Sequence, residues 1–305
     1  MKKILILGHT GFVGKELSKR FYEKKVKFDC YSKKQVIFEG KLQNKKKNLL
    51  KKLIFKNDII INCVGENTDQ KFMYSRNYKF VKQILNLIEN SKKKKFLIHL
   101  SSCAVYGKYF HFKNYIINEK TDPSPISKYA KTKLKGDAII INNKNQYLKY
   151  SLIRPSQVVG LNMNALGFIN LVKFVKRKLF VYVSSKNAVR NYVNSEDLTL
   201  LIYNICVSNK VRNNIYIISR YSKLQKIIKL IQRQLDVNNF IDITVPKFIL
   251  IYIVNIVRFF VKKFPVNKEI VEGLSITAKI KSNIYSDFKG MKLKNINSYL
   301  LKISK

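Results

Sequence analysis

The chain opens on a four-residue apolar run, Ile4–Leu7, that breaks into Gly8-His9-Thr10-Gly11-Phe12-Val13-Gly14. Apolar residues then recur at helical spacing (Val13, Leu17, Phe21), and a second β-type run follows at Val26–Tyr31. Strand, glycine turn, helix and strand within about thirty residues is the length of one βαβ unit. Two parallel strands joined by a crossover helix restrict the fold to an α/β protein whose sheet is covered on both faces.

The alternation continues along the first half. A lysine-rich helix is predicted near Asn44–Ile54, a strand over Asp58–Cys63, and a helix near Tyr74–Glu89 with Val81, Ile84, Leu85 and Ile88 on one face. The strand Phe96–Leu100 leads into Ser101-Ser102, a loop with Pro123 and Pro125 precedes a helix over Ser127–Ile141, and the strand Tyr150–Ile153 runs into Arg154-Pro155. This pattern predicts a doubly wound parallel sheet over residues 1–155. After Pro155 helices are predicted over Leu166–Lys178, Glu196–Val207 and Leu224–Leu235, with a strand at Asn214–Ile218. Residues 156–305 read as a smaller, mixed α/β C-terminal lobe, with the segment 188–207 able to return to the first domain.

Composition excludes several classes. At 305 residues and 46% hydrophobic the chain can bury a large core, which rules out general disorder. Cys30, Cys63, Cys103 and Cys206 are scattered, form no CxxC pair, and read as reduced thiols of a cytoplasmic protein. Three scattered histidines leave little material for a metal centre, and none is expected. The net charge of +42 suits phosphate or an anionic surface. Because lysine, asparagine, isoleucine and tyrosine are all abundant, it reads first as compositional bias, with lysine runs solvated at helix ends, and no nucleic-acid partner is expected. No targeting segment is expected, since only four apolar residues follow Met1-Lys2-Lys3. The stretch Phe248–Val261 is apolar but interrupted by Asn255 and Arg258, too short to span a bilayer. It reads as a buried or amphipathic helix; its flanking Lys247, Arg258, Lys262 and Lys263 leave peripheral membrane contact open.

The spacing Gly8, Gly11, Gly14 lets backbone approach a pyrophosphate at the positive end of a helix, and its place between a strand and a helix is the context that motif requires. The end of the second strand reads the adenosine ribose: an acidic residue there favours NAD, cations favour NADP. Here it reads Tyr31-Ser32-Lys33-Lys34, with Asp29 inside the strand, which favours NADP and leaves NAD open.

Five tyrosines have a lysine four residues later: Tyr78/Lys82, Tyr109/Lys113, Tyr129/Lys133, Tyr182/Lys186 and Tyr285/Lys289. Such a pair shares a helix face, and the cation stabilises the phenolate. Spacing alone does not choose among them. The ordered set does: the glycine loop, Asn62-Cys63-Val64-Gly65, Ser102-x-x-Val105-Tyr106-Gly107, Tyr129-x-x-x-Lys133, Arg154-Pro155 and Arg190-Asn191-Tyr192-Val193. In these pieces, over residues 1 to about 200, the chain resembles the extended short-chain dehydrogenase/reductases, in their nucleotide-sugar epimerase/dehydratase/reductase branch, a Rossmann-type fold.

The resemblance implies that Tyr129 is the general acid/base, that Lys133 lowers its pKa and bonds the nicotinamide ribose, and that Ser102 bonds the reacting oxygen. It assigns the dinucleotide to Gly8, Thr10, Gly11, Phe12, Val13, Gly14, Ser32, Lys33, Asn62, Val64 and Pro155 along with Tyr129 and Lys133. It assigns the substrate, a nucleotide-diphosphate sugar, to Ser102, Gln157, Arg190 and Tyr192, and implies a homodimer. Dehydratases of this branch carry an acidic pair after the serine or threonine, where this chain has Cys103 and Ala104. Cys103 lies one residue before the acid/base cysteine of GDP-fucose synthases and reads as structural. What remains is chemistry at C4 of the sugar in surface polysaccharide biosynthesis: NADPH-dependent reduction of a 4-ketone ahead of 4-epimerisation with tightly held NAD. A non-catalytic dinucleotide-binding or nucleic-acid-associated protein is the alternative of another class.

Overall fold

A computed structural model of the protein describes residues 2–32, 43–160, 163, 166–208, 213–238, 241–261, 264, 266–282 and 284–295. In chain order the elements begin β1 (Ile4–Leu7), α1 (Phe12–Glu23), β2 (Phe28–Tyr31), α2 (Gln43–Lys56), β3 (Ile59–Asn62), α3 (Gln70–Tyr74), a π-helical turn (Ser75–Lys79), α4 (Phe80–Asn90) and β4 (Lys95–Leu100). A 3₁₀ segment (Cys103–His111), β5 (Ile116–Ile117), α5 (Lys128–Ile141), β6 (Leu148–Pro155), β7 (Gln157–Val159), α6 (Leu166–Lys176), β8 (Tyr182–Val183) and β9 (Val189–Asn194) follow. The chain continues through α7 (Ser195–Val207), β10 (Asn214–Ile218), β11 (Arg220–Lys223), α8 (Leu224–Gln234), β12 (Thr244–Val245), α9 (Lys247–Phe260), α10 (Lys268–Leu274), β13 (Lys279–Ile280) and α11 (Ile284–Asp287).

Six strands form one sheet in the order β10-β6-β4-β3-β1-β2, every pair parallel. Alternate residues of the central strands enter opposite cores, which is why β1 and β3 read as apolar runs. Ile4, Ile6, Ile59 and Ile61 face α1 and α7 through Leu17, Phe21, Leu198 and Ile202. Leu5, Leu7 and Ile60 face α2 and α4 through Leu50, Ile54, Ile84 and Ile88. Strand order reverses between β1 and β3, and the crevice beyond the carboxyl ends of those strands is where such sheets take ligands. The segment Ser195–Val207 packs against α1, and Arg20 Nε donates to Thr199 Oγ1 at 2.9 Å. Beyond the sheet, β7, β9 and β11 form a smaller mixed sheet backed by α6 and α8.

The predicted Tyr74–Glu89 helix is instead a helix carrying a π-turn around Asn77. The Asn77 amide accepts from the Glu66 amide nitrogen and donates to the Glu66 carbonyl, both at 2.9 Å, and to Thr132 Oγ1 at 3.0 Å. A Cβ on Gly136 would lie 2.4 Å from the Asn77 carbonyl oxygen, so α5 approaches the bulge closely. One extra residue in the turn is what aims Asn77 at both partners.

Candidate active site

Two positions of the first loop, Gly8 and Gly14, are closed to a side chain. Gly8 has φ +84°, and its N–H donates to the Tyr31 carbonyl at 2.7 Å. A Cβ on Gly14 would fall 2.1 Å from the Gly8 carbonyl oxygen, and one on Gly8 would fall 3.0 Å from the Val64 nitrogen. Gly11 caps α1 with no side-chain bond to it, and the first turn holds no carboxylate. The leading N–H groups of α1 therefore face outward without a built-in anion, which fits a pyrophosphate.

Thr10 Oγ1 lies 3.3 Å from Ser32 Oγ at the end of β2. Asp29, the one carboxylate on that strand, is taken up elsewhere: it accepts from Asn57 Nδ2 at 2.8 Å and Lys56 Nζ at 3.1 Å. The Asn57 bond holds its carboxyl below the usual range, and Lys56 adds to this against the opposing effect of partial burial. Lys33 lies outside the described residues. Phe12 points toward the second lobe, where a Cβ on Gly160 would meet its ring at 2.8 Å, while Val13 packs into the core beneath the sheet. Asn62 is buried; its oxygen accepts from the Val64 amide at 3.0 Å and its nitrogen donates to His99 Nδ1 at 3.0 Å. Burial and the Lys133 charge hold His99 well below its ordinary pKa, hence neutral. Asn62 thus shapes the loop that presents Val64 and Gly65. Pro155 ends β6, buried beside Ile218 of β10.

Ser102, Tyr129 and Lys133 meet at the carboxyl end of β4. Ser127 caps α5 by accepting from the Ala130 amide at 3.1 Å, so Tyr129 sits in the first turn and Lys133 one turn deeper. Ser102 caps the 3₁₀ segment, its Oγ accepting from the Ala104 amide at 3.1 Å. It also hydrogen-bonds to Tyr129. Lys133 is buried; its Nζ donates to the Leu100 carbonyl at 2.9 Å and lies where a Cβ on Gly65 would come within 2.9 Å. Burial pushes the Tyr129 phenol up to about 12 against the Ser102 bond. The Lys133 ammonium, turned to Leu100 and Gly65, also acts on Cys63, His99 and Asp137.

Asp137, the one carboxylate of α5 and four residues beyond Lys133, carries part of the site that the sequence motifs did not single out. Fully buried, its Oδ2 accepts from Ser101 Oγ at 2.9 Å and pairs with Arg154 at 3.0 Å. Arg154 donates in turn to the Tyr106 hydroxyl at 2.7 Å. The Arg154 carbonyl accepts from the Cys103 thiol at 3.0 Å, and burial raises that thiol's pKa, so Cys103 is a protonated structural donor. The signal for Asp137 is its helical spacing from Lys133; what it binds lies too far off in sequence to read.

In the second lobe Gln157 and Arg190 come together. Arg190 NH2 donates to Gln157 Oε1 at 3.0 Å and NH1 to the Gly273 carbonyl at 2.8 Å. Burial lowers the guanidinium to about 10. Arg190 lines a cavity of about 170 Å³ with Asn170, Phe174, Phe180, Glu269 and Gly273; its lining residues do not include Ser102 or Tyr129. Tyr192 is not brought to this cavity: it is 3% exposed in the core between β9, α6 and α8, its hydroxyl 3.4 Å from Asn295. Among the described residues no cluster of three or more His, Cys, Asp or Glu could hold a metal ion.

The sequence profile of the NAD dependent epimerase/dehydratase family matches residues 4–219, which take in the glycine loop, the Ser102, Tyr129 and Lys133 cluster and Arg190. The chain belongs to that family. No curated protein matches it in sequence. Among solved structures, it is similar to UDP-glucose 4-epimerase from Thermotoga maritima, determined with UDP-glucose (TM-score 0.72, 16% identity, 99% of this chain and 97% of that one). It is similar too to UDP-glucuronic acid 4-epimerase from Bacillus cereus in complex with NAD (TM-score 0.72, 16% identity, 98% and 94%). A third is dTDP-4-dehydrorhamnose reductase from Bacillus anthracis in complex with NADP (TM-score 0.67, 15% identity, 99% and 98%). At these identities the likeness is one of fold, and the fold is shared by epimerases and reductases of nucleotide sugars.

Proposed function

We propose that the protein reduces the C4 ketone of a nucleotide-diphosphate sugar with NADPH. The observation that carries this reading is the convergence of Ser102, Tyr129 and Lys133 at the strand ends beside a glycine turn closed to a side chain at Gly8 and Gly14. Gly8, Gly11 and Gly14 with the α1 N-terminus would hold the pyrophosphate, and Thr10 and Ser32 the adenosine ribose. Lys133 would meet the nicotinamide ribose beside Gly65. The dinucleotide, when bound, supplies the hydride. Ser102 donates a hydrogen bond to the sugar oxygen, and Tyr129 delivers its phenolic proton to that oxygen as negative charge builds on it. A phenol whose pKa is pushed up to about 12 is protonated at neutral pH, the form that reduction needs at the outset.

Two features favour reduction over the family's other reactions. Cys103 is a buried thiol and Ala104 has no ionisable group, so elimination of water lacks an acid and base beside Ser102. The carboxylate of β2 is engaged by Asn57 and Lys56, leaving a hydroxyl pair where the 2′-phosphate of NADP would sit. Arg190 and Gln157 are assigned to the substrate diphosphate. A place in surface polysaccharide synthesis is the use of such a product that we propose. The test is to denature the purified protein and assay the supernatant for dinucleotide, then supply NADPH with nucleotide-linked 4-keto sugars. Empty protein that oxidises NADPH supports reduction; stoichiometric bound NAD with no NADPH oxidation establishes 4-epimerisation in its place.

A further inference from the structure

The helix α9 is apolar on the side it turns away from the protein. Its inner face, Leu250, Ile251 and Val254, packs on Val183 and on Val271 of α10. Its outer face carries Phe248 (73% exposed), Tyr252 (68%), Phe259 (80%) and Phe260 (78%), with Ile249, Ile253 and Ile256 also exposed. At about 100° per residue these seven positions and Asn255 form one stripe about 160° wide. A helix solvated on that side would be polar there, and an exposed apolar stripe of this width marks an interaction surface.

We propose that this face of α9 docks on the surface of an anionic lipid bilayer. The surrounding charge selects that occupant. No carboxylate occurs between Asp242 and Glu269, whereas Lys247, Arg258, Lys262, Lys263 and Lys268 all fall in that interval. The chain as a whole carries +42, so two copies meeting through these faces would repel each other, while acidic headgroups complement them. Among the described residues no helix is long and apolar enough to cross a membrane. At fourteen residues α9 is about 21 Å long against a hydrocarbon core of about 30 Å, so it lies in the interface, with aromatic rings at headgroup depth. The same α10 that backs α9 contributes Glu269, Ile270, Gly273 and Leu274 to the Arg190 cavity, so docking places that cavity one helix behind the lipid.

The test is co-sedimentation of the full chain with vesicles of phosphatidylcholine alone or mixed with phosphatidylglycerol. The native protein pellets with the mixed vesicles. Phe248→Ser/Tyr252→Ser/Phe259→Ser/Phe260→Ser keeps every positive charge and all inner-face contacts, yet its partition coefficient falls at least about tenfold. Lys247→Glu/Arg258→Glu, which leaves the apolar stripe whole, lowers binding as well and makes it less sensitive to salt. The proposal is overturned if the native protein stays in the supernatant, or if the four-serine variant, with native circular dichroism, binds as well as the native chain. Sedimentation velocity supplies the other overturning result: a native dimer that the four serines split, without vesicle binding, makes the face a contact between copies.

Discussion

The ammonium of Lys133 donates to the main-chain carbonyl of Leu100 at 2.9 Å, two residues before Ser102. One bond therefore ties the second turn of α5 to the end of β4 and fixes how Tyr129, on the turn before, meets Ser102. Removing the phenol leaves that tie intact. Tyr129→Phe is expected to lower turnover by about 10²–10⁴-fold while NADPH affinity stays within about threefold. Lys133→Met removes the tie and is expected to weaken both. Steady-state kinetics with a fluorescence titration of NADPH separates the two variants, and a fully active Tyr129→Phe would exclude this tyrosine as the acid.

The protonation state of Tyr129 gives the reaction a direction in pH. Burial disfavours the phenolate and places the pKa up at about 12, so the phenol is protonated through neutral and mildly alkaline pH. Ketone reduction, which needs that proton, is expected to show no alkaline fall from Tyr129 below about pH 10. Oxidation of the alcohol in reverse, which needs the phenolate, is expected to rise with pH over the same range. The kcat/KM profiles of the two directions check the sign. Ser102→Ala is expected to move the reverse profile further to alkaline pH, since its bond is what pulls the phenol down.

The two later glycines of the first loop differ in what a methyl group would meet. On Gly14 it would lie 2.1 Å from the Gly8 carbonyl oxygen, a backbone atom that cannot rotate away; on Gly11 it would lie 3.3 Å from the same oxygen. Gly14→Ala is expected to destabilise by at least about 1–3 kcal/mol and to weaken NADPH binding at least about tenfold. Gly11→Ala is expected to cost less on both counts. Thermal unfolding and dinucleotide titration of the two variants test the contrast; equal effects would mean that the loop is not set by this contact.

Beneath the site, Asp137 and Arg154 form an ion pair with both side chains almost wholly shielded from water. Removing one member leaves a buried charge alone. Asp137→Ala is expected to lose about 3–5 kcal/mol in urea unfolding, and Asp137→Ala/Arg154→Met to recover part of that loss. Because Ser101 Oγ also donates to Asp137, the single variant is expected to loosen the strand end that carries Ser102. A double variant no more stable than the single one would show that the pair is uncoupled.

The first βαβ unit was legible because its signals are local. Gly8 adopts φ +84°, a conformation that few other residues accept, and Ser127 caps α5 through a bond spanning three residues. Asn214–Ile218 has the predicted ends for the same reason, being apolar between polar flanks. Asn77 was illegible because its bulge answers to Glu66 and Thr132, the latter fifty-five residues away. The resemblance implies a substrate contact for Tyr192, yet alternation along β9 does not say which neighbouring helices cover it. The same gap hid the fate of α9: with apolar residues on both sides, its sequence gives no sign of which side the protein will bury.

Arg190 is held from two directions, by the Gly273 carbonyl at the end of α10 and by Gln157 on β7, and both bonds use its terminal nitrogens. Such a clamp fixes the guanidinium plane against the cavity, where burial has already lowered its pKa to about 10. It remains charged at neutral pH. For an arginine that holds a substrate diphosphate, Arg190→Met is expected to raise the KM for the nucleotide sugar by about 10–100-fold, with kcat and NADPH affinity nearly unchanged. Gln157→Leu removes one arm of the clamp and keeps the charge, so a smaller rise in KM is expected. A fall in kcat with KM constant would instead place Arg190 in the chemistry rather than in substrate binding.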